Sequence, residues 1–151
     1  MDEIIGKEID SLGNEVIIHF CNQENMPASV SAFFFRQWAE LIESGFTEST
    51  YIPNIVSSRI IYATINNEIV GMRMWSWPNS NTTYIILIAT DKNFRRRGIT
   101  TIISNYYDQR IVKGNCKYSK THIHVNNVPM LEGIKKTGYE IDFVRVVKKY
   151  S

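Results

Sequence analysis

Apolar residues along this chain recur in two periods, one of strands and one of helices. "EVIIHFC" (15–21) is short and β-branched, which predicts a strand. Across 28–44, Val30, Phe34, Trp38, Leu41 and Ile42 fall on one helical stripe, and Gly45 marks its end. Residues 46–58 are irregular, and Pro53 excludes a long helix through them; a short helix or a loop is expected there. "RIIYATI", "IVGMRMWSW" and "TTYIILIAT" are strand-like runs separated by "NNE" and "PNSN", so an antiparallel meander is predicted. From Gly98 to Val112, Ile99, Ile102, Ile103, Tyr106, Tyr107 and Ile111 return at helical spacing. "YSKTHIHV" (118–125) reads as a strand parallel to its predecessor through a right-handed crossover. A short helix over 128–136 ends at Thr137-Gly138, and "YEIDFVRVVKKY" (139–150) reads as a closing strand. The fold class is therefore mixed α/β, with one central sheet of about six to seven strands flanked by helices.

Composition narrows the class. With 151 residues, 44% hydrophobic and 12% aromatic, and no repeat or linker, a single domain over 1–151 with a real core is expected. No apolar run approaches the roughly 18–20 residues that cross a bilayer, and "MDEIIGKEID" lacks a signal-peptide pattern, so a cytoplasmic protein is expected. Cys21 and Cys116 have no metal-like spacing and read as free thiols. The net charge of +2 conceals a split. Residues 1–90 hold 4 Lys+Arg against 10 Asp+Glu, whereas 91–151 hold 13 against 5. An anion-binding side and a cation-tolerant side follow from that asymmetry.

The basic charge is densest at Arg95-Arg96-Arg97-Gly98-Ile99-Thr100, between an apolar strand and a helix. The first N–H groups of a helix lack internal partners and carry partial positive charge, and guanidinium groups add paired donors. Such a turn cradles phosphate. Neither G-x-x-x-x-G-K-[ST] nor G-x-G-x-x-G is present.

This segment resembles the [Q/R]-x-x-G-x-[G/A] motif of the GNAT superfamily of N-acetyltransferases, with Phe94 as the aromatic that precedes it. Thr100 departs from the small final residue, and its side chain would either crowd a phosphate or hydrogen-bond to it. "NVPMLEGIKKTGY" similarly supplies Asn127, Lys136, Gly138 and Tyr139 of the family's second signature. The resemblance covers roughly 58–150. It implies an acetyl-coenzyme A-binding core over 58–150 and an acceptor side over 1–57, with no metal. Arg95, Arg96, Arg97, Gly98, Ile99 and Thr100 would hold the pyrophosphate. Backbone groups of Ile88, Ala89 and Thr90, on a bulged strand that splays from its neighbour, would hold the pantetheine, with Asn127 beside it. The implied reaction is direct transfer of acetyl from acetyl-coenzyme A to a primary amine of a small molecule or protein.

The family's usual proton-handling groups are missing. Its common strand-four carboxylate or histidine falls at Tyr84, eleven positions before Arg95, and its general-acid tyrosine falls at Ile134. A phenol with a pKa of about 10 is a weak base at neutral pH, although it can order a water or pass a proton. Tyr84, Asn127 and His124 are the catalytic candidates; His122 and His124, alternating on one strand, are expected to face the same side. Filling a half-buried strand is the plainer role for Tyr84, as packing or solvation is for the histidines. No third ligand accompanies the H-x-H pair. Phe33, Phe34, Phe35, Trp38, Trp75 and Trp77 exceed one core face and offer walls for a cleft. Two other readings are a GNAT-like protein that binds coenzyme A or a partner without catalysis, and a nucleic-acid patch over 91–149. The latter lacks any nucleic-acid motif. The sequence leaves the acceptor open and is compatible with a homodimer.

Overall fold

Asn66 and Asn67 hold positive φ (50° and 64°) between two paired strands, the two-residue turn whose twist suits a hairpin. They join β3 (Arg59–Ile65) to β4 (Glu68–Asn79), which pairs in turn with β5 (Thr82–Thr90); the meander is antiparallel throughout. β2 (Glu15–Asn22) adds to β3, and β1 (Glu3–Ile9) adds to β2. β6 (Tyr118–Thr121) lies parallel to β5 after the helix α2 (Ile99–Lys113), giving a six-stranded mixed sheet in the order β1-β2-β3-β4-β5-β6. Helix α1 (Ala28–Glu43) precedes β3, and α3 (Val128–Lys135) follows β6. The computed structural model describes residues 2–47 and 53–150. The expected short helix or loop after α1 falls partly on 48–52, outside the described residues, and 53–58 carry no helix.

Each face of the sheet has its own core. β3 reads as an unbroken apolar run because both its faces are covered. Ile60 and Tyr62 join Val30, Phe33, Phe34, Met72 and Met74 on the α1 side. Ile61 and Ala63 join Trp75, Ile85, Ile99, Ile103 and Tyr107 on the α2 side. Gly71 sets the approach of α2: a Cβ there would stand 2.8 Å from Ile99 Cγ2 and 3.1 Å from Ile103 Cδ1. The Tyr107 hydroxyl lies 2.6 Å from Thr83 Oγ1 and 2.6 Å from Ser119 Oγ, which lies 2.7 Å from the Tyr139 hydroxyl. This chain of hydroxyls ties β5, α2, β6 and the residue after Gly138 together. Gly138 itself has φ 94°, the left-handed geometry that ends a helix.

Three expectations are corrected. β1 has no counterpart in the sequence reading; its "EIIGKEI" interrupts the apolar pattern with a glycine and charges. The strand expected over 118–125 stops at Thr121, so His122 and His124 lie beyond it. Its last rung is Ile85↔Thr121, and past that point β5 offers it no partner. The strand expected over 139–150 is also absent; the segment is rich in β-branched residues, but among the described residues no strand pairs with it.

His19 makes one stability prediction. Its ring stacks on Tyr62 with centroids 4.5 Å apart, its Nε2 lies 2.9 Å from Thr64 Oγ1, and its buried Nδ1 has no partner. Burial lowers its pKa below the ordinary 6.5, against the opposing pull of Asp2. The unfolded chain therefore takes up this proton at higher pH than the folded one, and stability falls as pH drops below 6.5. The thermal midpoint is expected to decline between about pH 7 and 5.5, and His19→Gln to flatten that decline.

Candidate active site

The parting of β5 from β6 begins at a bulge. On β4, Met74 faces Leu87 and Trp75 faces Ile85, so Ile86 is the extra residue on β5. Ile86 and Leu87 both pack toward the α1 core, while Ile85 and Ile88 lie with the α2 core. The last tie is Thr121 Oγ1 donating to the Ile85 carbonyl at 3.1 Å. Beyond it, Ile86–Thr90 keep β4 on one edge and have no β6 partner on the other. Ile88, Ala89 and Thr90 therefore have a main-chain edge that no described strand covers, and the opening along it is the candidate slot.

The slot leads to the arginine turn. Arg96 (φ 63°) and Gly98 (φ 82°, ψ 9°) are both left-handed, and Gly98 caps α2. The first helical bond is from the Ile102 N–H to the Gly98 carbonyl at 3.0 Å, so the preceding amides remain available to an anion. A Cβ at Gly98 would meet nothing within 4 Å; backbone conformation is what requires glycine here. Ile99 is buried in the α2 core, so it can offer an anion only its backbone. The Thr100 hydroxyl lies 2.8 Å from that of Thr90, which links the turn to the end of β5.

The three arginines differ. Arg95 is exposed, and its Nε donates to the Thr90 carbonyl at 3.4 Å, beside the slot. Arg96 is exposed. Arg97 turns toward the β1–β2 turn: Nη1 is 3.9 Å from Asp10 Oδ2, and its guanidinium covers the Phe94 ring at 4.7 Å. The Ser11 N–H donates to the Arg97 carbonyl at 3.2 Å. Burial works to raise the Asp10 pKa, but amide donors from Asn14 and Leu12, with the Arg97 charge, outweigh it and hold the carboxyl below the usual 3.8. Arg95→Ala is expected to raise the Michaelis constant for an anionic cosubstrate severalfold without changing the thermal midpoint. Arg97→Ala is expected to lower the midpoint as well, because it strips a partner from a buried carboxylate; calorimetry beside kinetics separates the two.

On the α1 side of the slot, a cavity of about 230 Å³ is lined by Trp38, Asn54, Val56, Ser76, Tyr84 and Ile86. No carboxylate is among the described residues that line it. Of the aromatics expected to wall a cleft, Trp38 does so, while Phe33, Phe34 and Trp75 are core. The Tyr84 hydroxyl is 3.0 Å from His122 Nδ1. This pair was hidden from sequence reasoning, which put His122 and His124 on one strand face. His124 instead builds the turn into α3: its carbonyl accepts from the Asn127 N–H at 2.9 Å and its Nδ1 from the Asn126 N–H at 3.1 Å. Asn127 caps α3 through its backbone and makes no side-chain capping bond. Among the described residues no cluster of three or more His, Cys, Asp or Glu side chains is placed to hold a metal.

Residues 27–139 match the Acetyltransferase (GNAT) family. The chain belongs to that family. It is an acyltransferase of the GNAT type, and its sheet, parallel β5–β6 pair and capped α2 are the family's fold. Solved structures share that fold at low sequence identity. A GNAT family acetyltransferase from Elizabethkingia anophelis, with acetyl-CoA bound, aligns with TM-score 0.64 and 20% identity over 83% of this chain and 78% of that one. The aminoglycoside acetyltransferase meta-AAC0020 from an uncultured soil metagenomic sample, in complex with sisomicin, gives 0.64 and 16% over 90% and 95%. A possible acetyltransferase from Clostridium difficile 630 gives 0.59 and 16% over 89% and 98%. No curated protein matches the chain in sequence. Among the described residues no helix is long and apolar enough to cross a membrane.

Proposed function

We propose that this GNAT protein transfers acetyl from acetyl-coenzyme A directly to a primary amine, as one cytoplasmic domain with its acceptor side in 1–57 and its cosubstrate core in 58–150. The observation that carries the proposal is the continuity of the open β5 edge, from the bulge at Ile86 to the left-handed Gly98 at the head of α2. An extended chain ending in a diphosphate fits that path: unpaired main-chain groups along Ile88–Thr90, then helix N-terminal amides flanked by Arg95 and Arg96. Acetyl-coenzyme A supplies an activated acetyl group as a thioester.

The residues then have separate tasks. The unpaired main chain beside Ile86 is positioned to donate to a developing oxyanion. The Tyr84 hydroxyl, on the cavity wall and bonded to His122, takes a proton from an incoming ammonium and hands it to the imidazole, whose exposed ring returns it to solvent. The amine nitrogen bonds to the carbonyl carbon as the carbon–sulfur bond breaks, and the departing thiolate is protonated from water or from this relay. Asn127, half-buried at the start of α3, is assigned to orient the pantetheine or a water.

The described residues of the cavity's lining are neutral and include Trp38 and Tyr84, which fits an amine carried on a modest polar body. Aminoglycosides, the substrates named for similar structures, are one class to include among the acceptors. The test is thiol release from acetyl-coenzyme A over a panel of aminoglycosides, polyamines and peptide N-termini, alongside calorimetric binding of the cosubstrate. Amine-dependent release supports the proposal; binding without release from any amine would remove the transfer step, and no binding would remove the cosubstrate.

A further inference from the structure

On the α2 side of the sheet, at the end away from the arginine turn, lies a second and larger cleft. Its volume is about 560 Å³, and Arg59, Trp77, Asn79, Ser80, Arg110 and Gly114 line it. Arg110 comes well after Gly98 on α2, about 18 Å along a helix that rises roughly 1.5 Å per residue. Ser76, next to Trp77 on β4, lines the cavity of the α1 side instead, so the sheet separates the two. Neither the cosubstrate path nor the acceptor cavity uses the residues of this cleft.

Two guanidinium groups give the cleft its character. That of Arg59 lies 5.8 Å from the Trp77 ring centre and has no carboxylate partner among the described residues. Arg110 covers the Phe20 ring at 3.5 Å and reaches Glu3 Oε1 at 3.7 Å. Burial lowers the Arg110 pKa below its ordinary 12.5 despite the pull of Glu3, and the charge of Arg59 adds to the fall, so the two cations are close enough to repel. An anion between them relieves that repulsion. Asn79 Oδ1 accepts from the Asn81 N–H at 3.1 Å, which leaves the Asn79 amide nitrogen as a donor, and Ser80 adds a hydroxyl. The negative end of α2 does not oppose an anion here, because the carbonyls of Arg110, Ile111 and Val112 already accept from the N–H groups of Gly114, Cys116 and Asn115. The wall is flat and apolar: a Cβ at Gly114 would stand 3.2 Å from Trp77 Cη2, so the indole rests on bare backbone.

We propose that this cleft binds a small aromatic monocarboxylate, with the carboxylate between Arg59 and Arg110 and the ring against Trp77. Guanidinium forks match carboxylate geometry, and an indole face stacks on a flat ring. Two arginines against the one glutamate leave a single positive charge to balance. A carboxylate balances it, whereas a phosphate monoester, at about −1.5 to −2 near pH 7, overshoots. The inference is independent of the transfer chemistry.

Calorimetry and nuclear magnetic resonance on the full chain, with 1-naphthoate as the probe and no acetyl-coenzyme A present, test it. The dissociation constant is expected below about 1 mM. 1-Naphthamide, which keeps the ring and loses the charge, should bind at least about ten-fold more weakly, and 1-naphthyl phosphate no more tightly than the carboxylate. Arg59→Gln and Arg110→Gln should each weaken 1-naphthoate about ten-fold or more, and Glu3→Gln, which removes a competing carboxylate, should strengthen it severalfold. Arg59 is half-buried and outside any ion pair among the described residues, so Arg59→Gln should keep the thermal midpoint and the affinity for acetyl-coenzyme A. The Trp77 indole N–H resonance, assigned with Trp77→Phe, should shift as the parent is titrated. No binding at about 10 mM, equal binding of the amide, tighter binding of the phosphate, an unmoved Trp77 resonance, affinity that Arg59→Gln leaves unchanged, or displacement of 1-naphthoate by acetyl-coenzyme A would each overturn the proposal.

Discussion

Gly98→Val is expected to raise the Michaelis constant for acetyl-coenzyme A by about ten- to a hundred-fold and to leave turnover at saturation within a few-fold of the parent. Space is not the reason, because a side chain at this position meets nothing within 4 Å. Gly98 holds φ 82°, where an L-residue loses about 1–2 kcal/mol and a β-branched one more. A valine turn relaxes toward negative φ and swings the first amides of α2 away from their common point. Hydrogen bonds to a charged partner are worth about 1.5–3 kcal/mol each, so losing one accounts for the expected change. Asparagine tolerates the left-handed region, so Gly98→Asn should cost only a few-fold, and Gly98→Ala should fall between the two. If all three variants keep the parental constant, the pyrophosphate binds elsewhere.

Tyr84→Phe and His122→Gln are each expected to lower turnover about a hundred-fold while sparing the constant for acetyl-coenzyme A. Phenylalanine keeps the ring beside Ile86 and Ser76 and removes only the hydroxyl that touches His122 Nδ1. Residues that pass one proton act as a unit, so the double variant should be scarcely slower than either single one. Multiplying defects would mean two separate roles, and a fully active Tyr84→Phe would return Tyr84 to a wall of the cavity. His124→Gln is the control: its Nδ1 caps a turn, so stability should respond before turnover does.

The sequence made some of this plain and concealed the rest for definite reasons. Helix α2 was legible because Ile99, Ile103, Tyr107 and Ile111 recur at helical spacing on a buried face, with a glycine directly ahead of them. The β3–β4 hairpin was legible because Asn66-Asn67 can adopt the positive φ that the turn needs. β1 was not, since Gly6 and Lys7 break its alternation, and only pairing with β2 makes it a strand. The bulge at Ile86 is a main-chain event within an apolar run, where any neighbouring residue would read the same. By ending the β5–β6 ladder it also moved His122 off the strand and onto Tyr84, a pairing that alternation on an uninterrupted strand cannot give. Arg97 looked like its neighbours until Asp10, 87 residues earlier, proved to be its partner.

That long-range contact ties two distant parts of the chain mechanically. The turn after β1 grips the arginine segment at three places: the Ser11 N–H on the Arg97 carbonyl, the Ser11 hydroxyl on the Arg96 carbonyl and Asp10 on the Arg97 guanidinium. On the proposed reading, the β1–β2 turn is the splint for the segment that would hold the pyrophosphate. Trimming the front of the chain, or loading it through a surface tether, is expected to weaken acetyl-coenzyme A binding before it unfolds the two apolar cores on either side of the sheet.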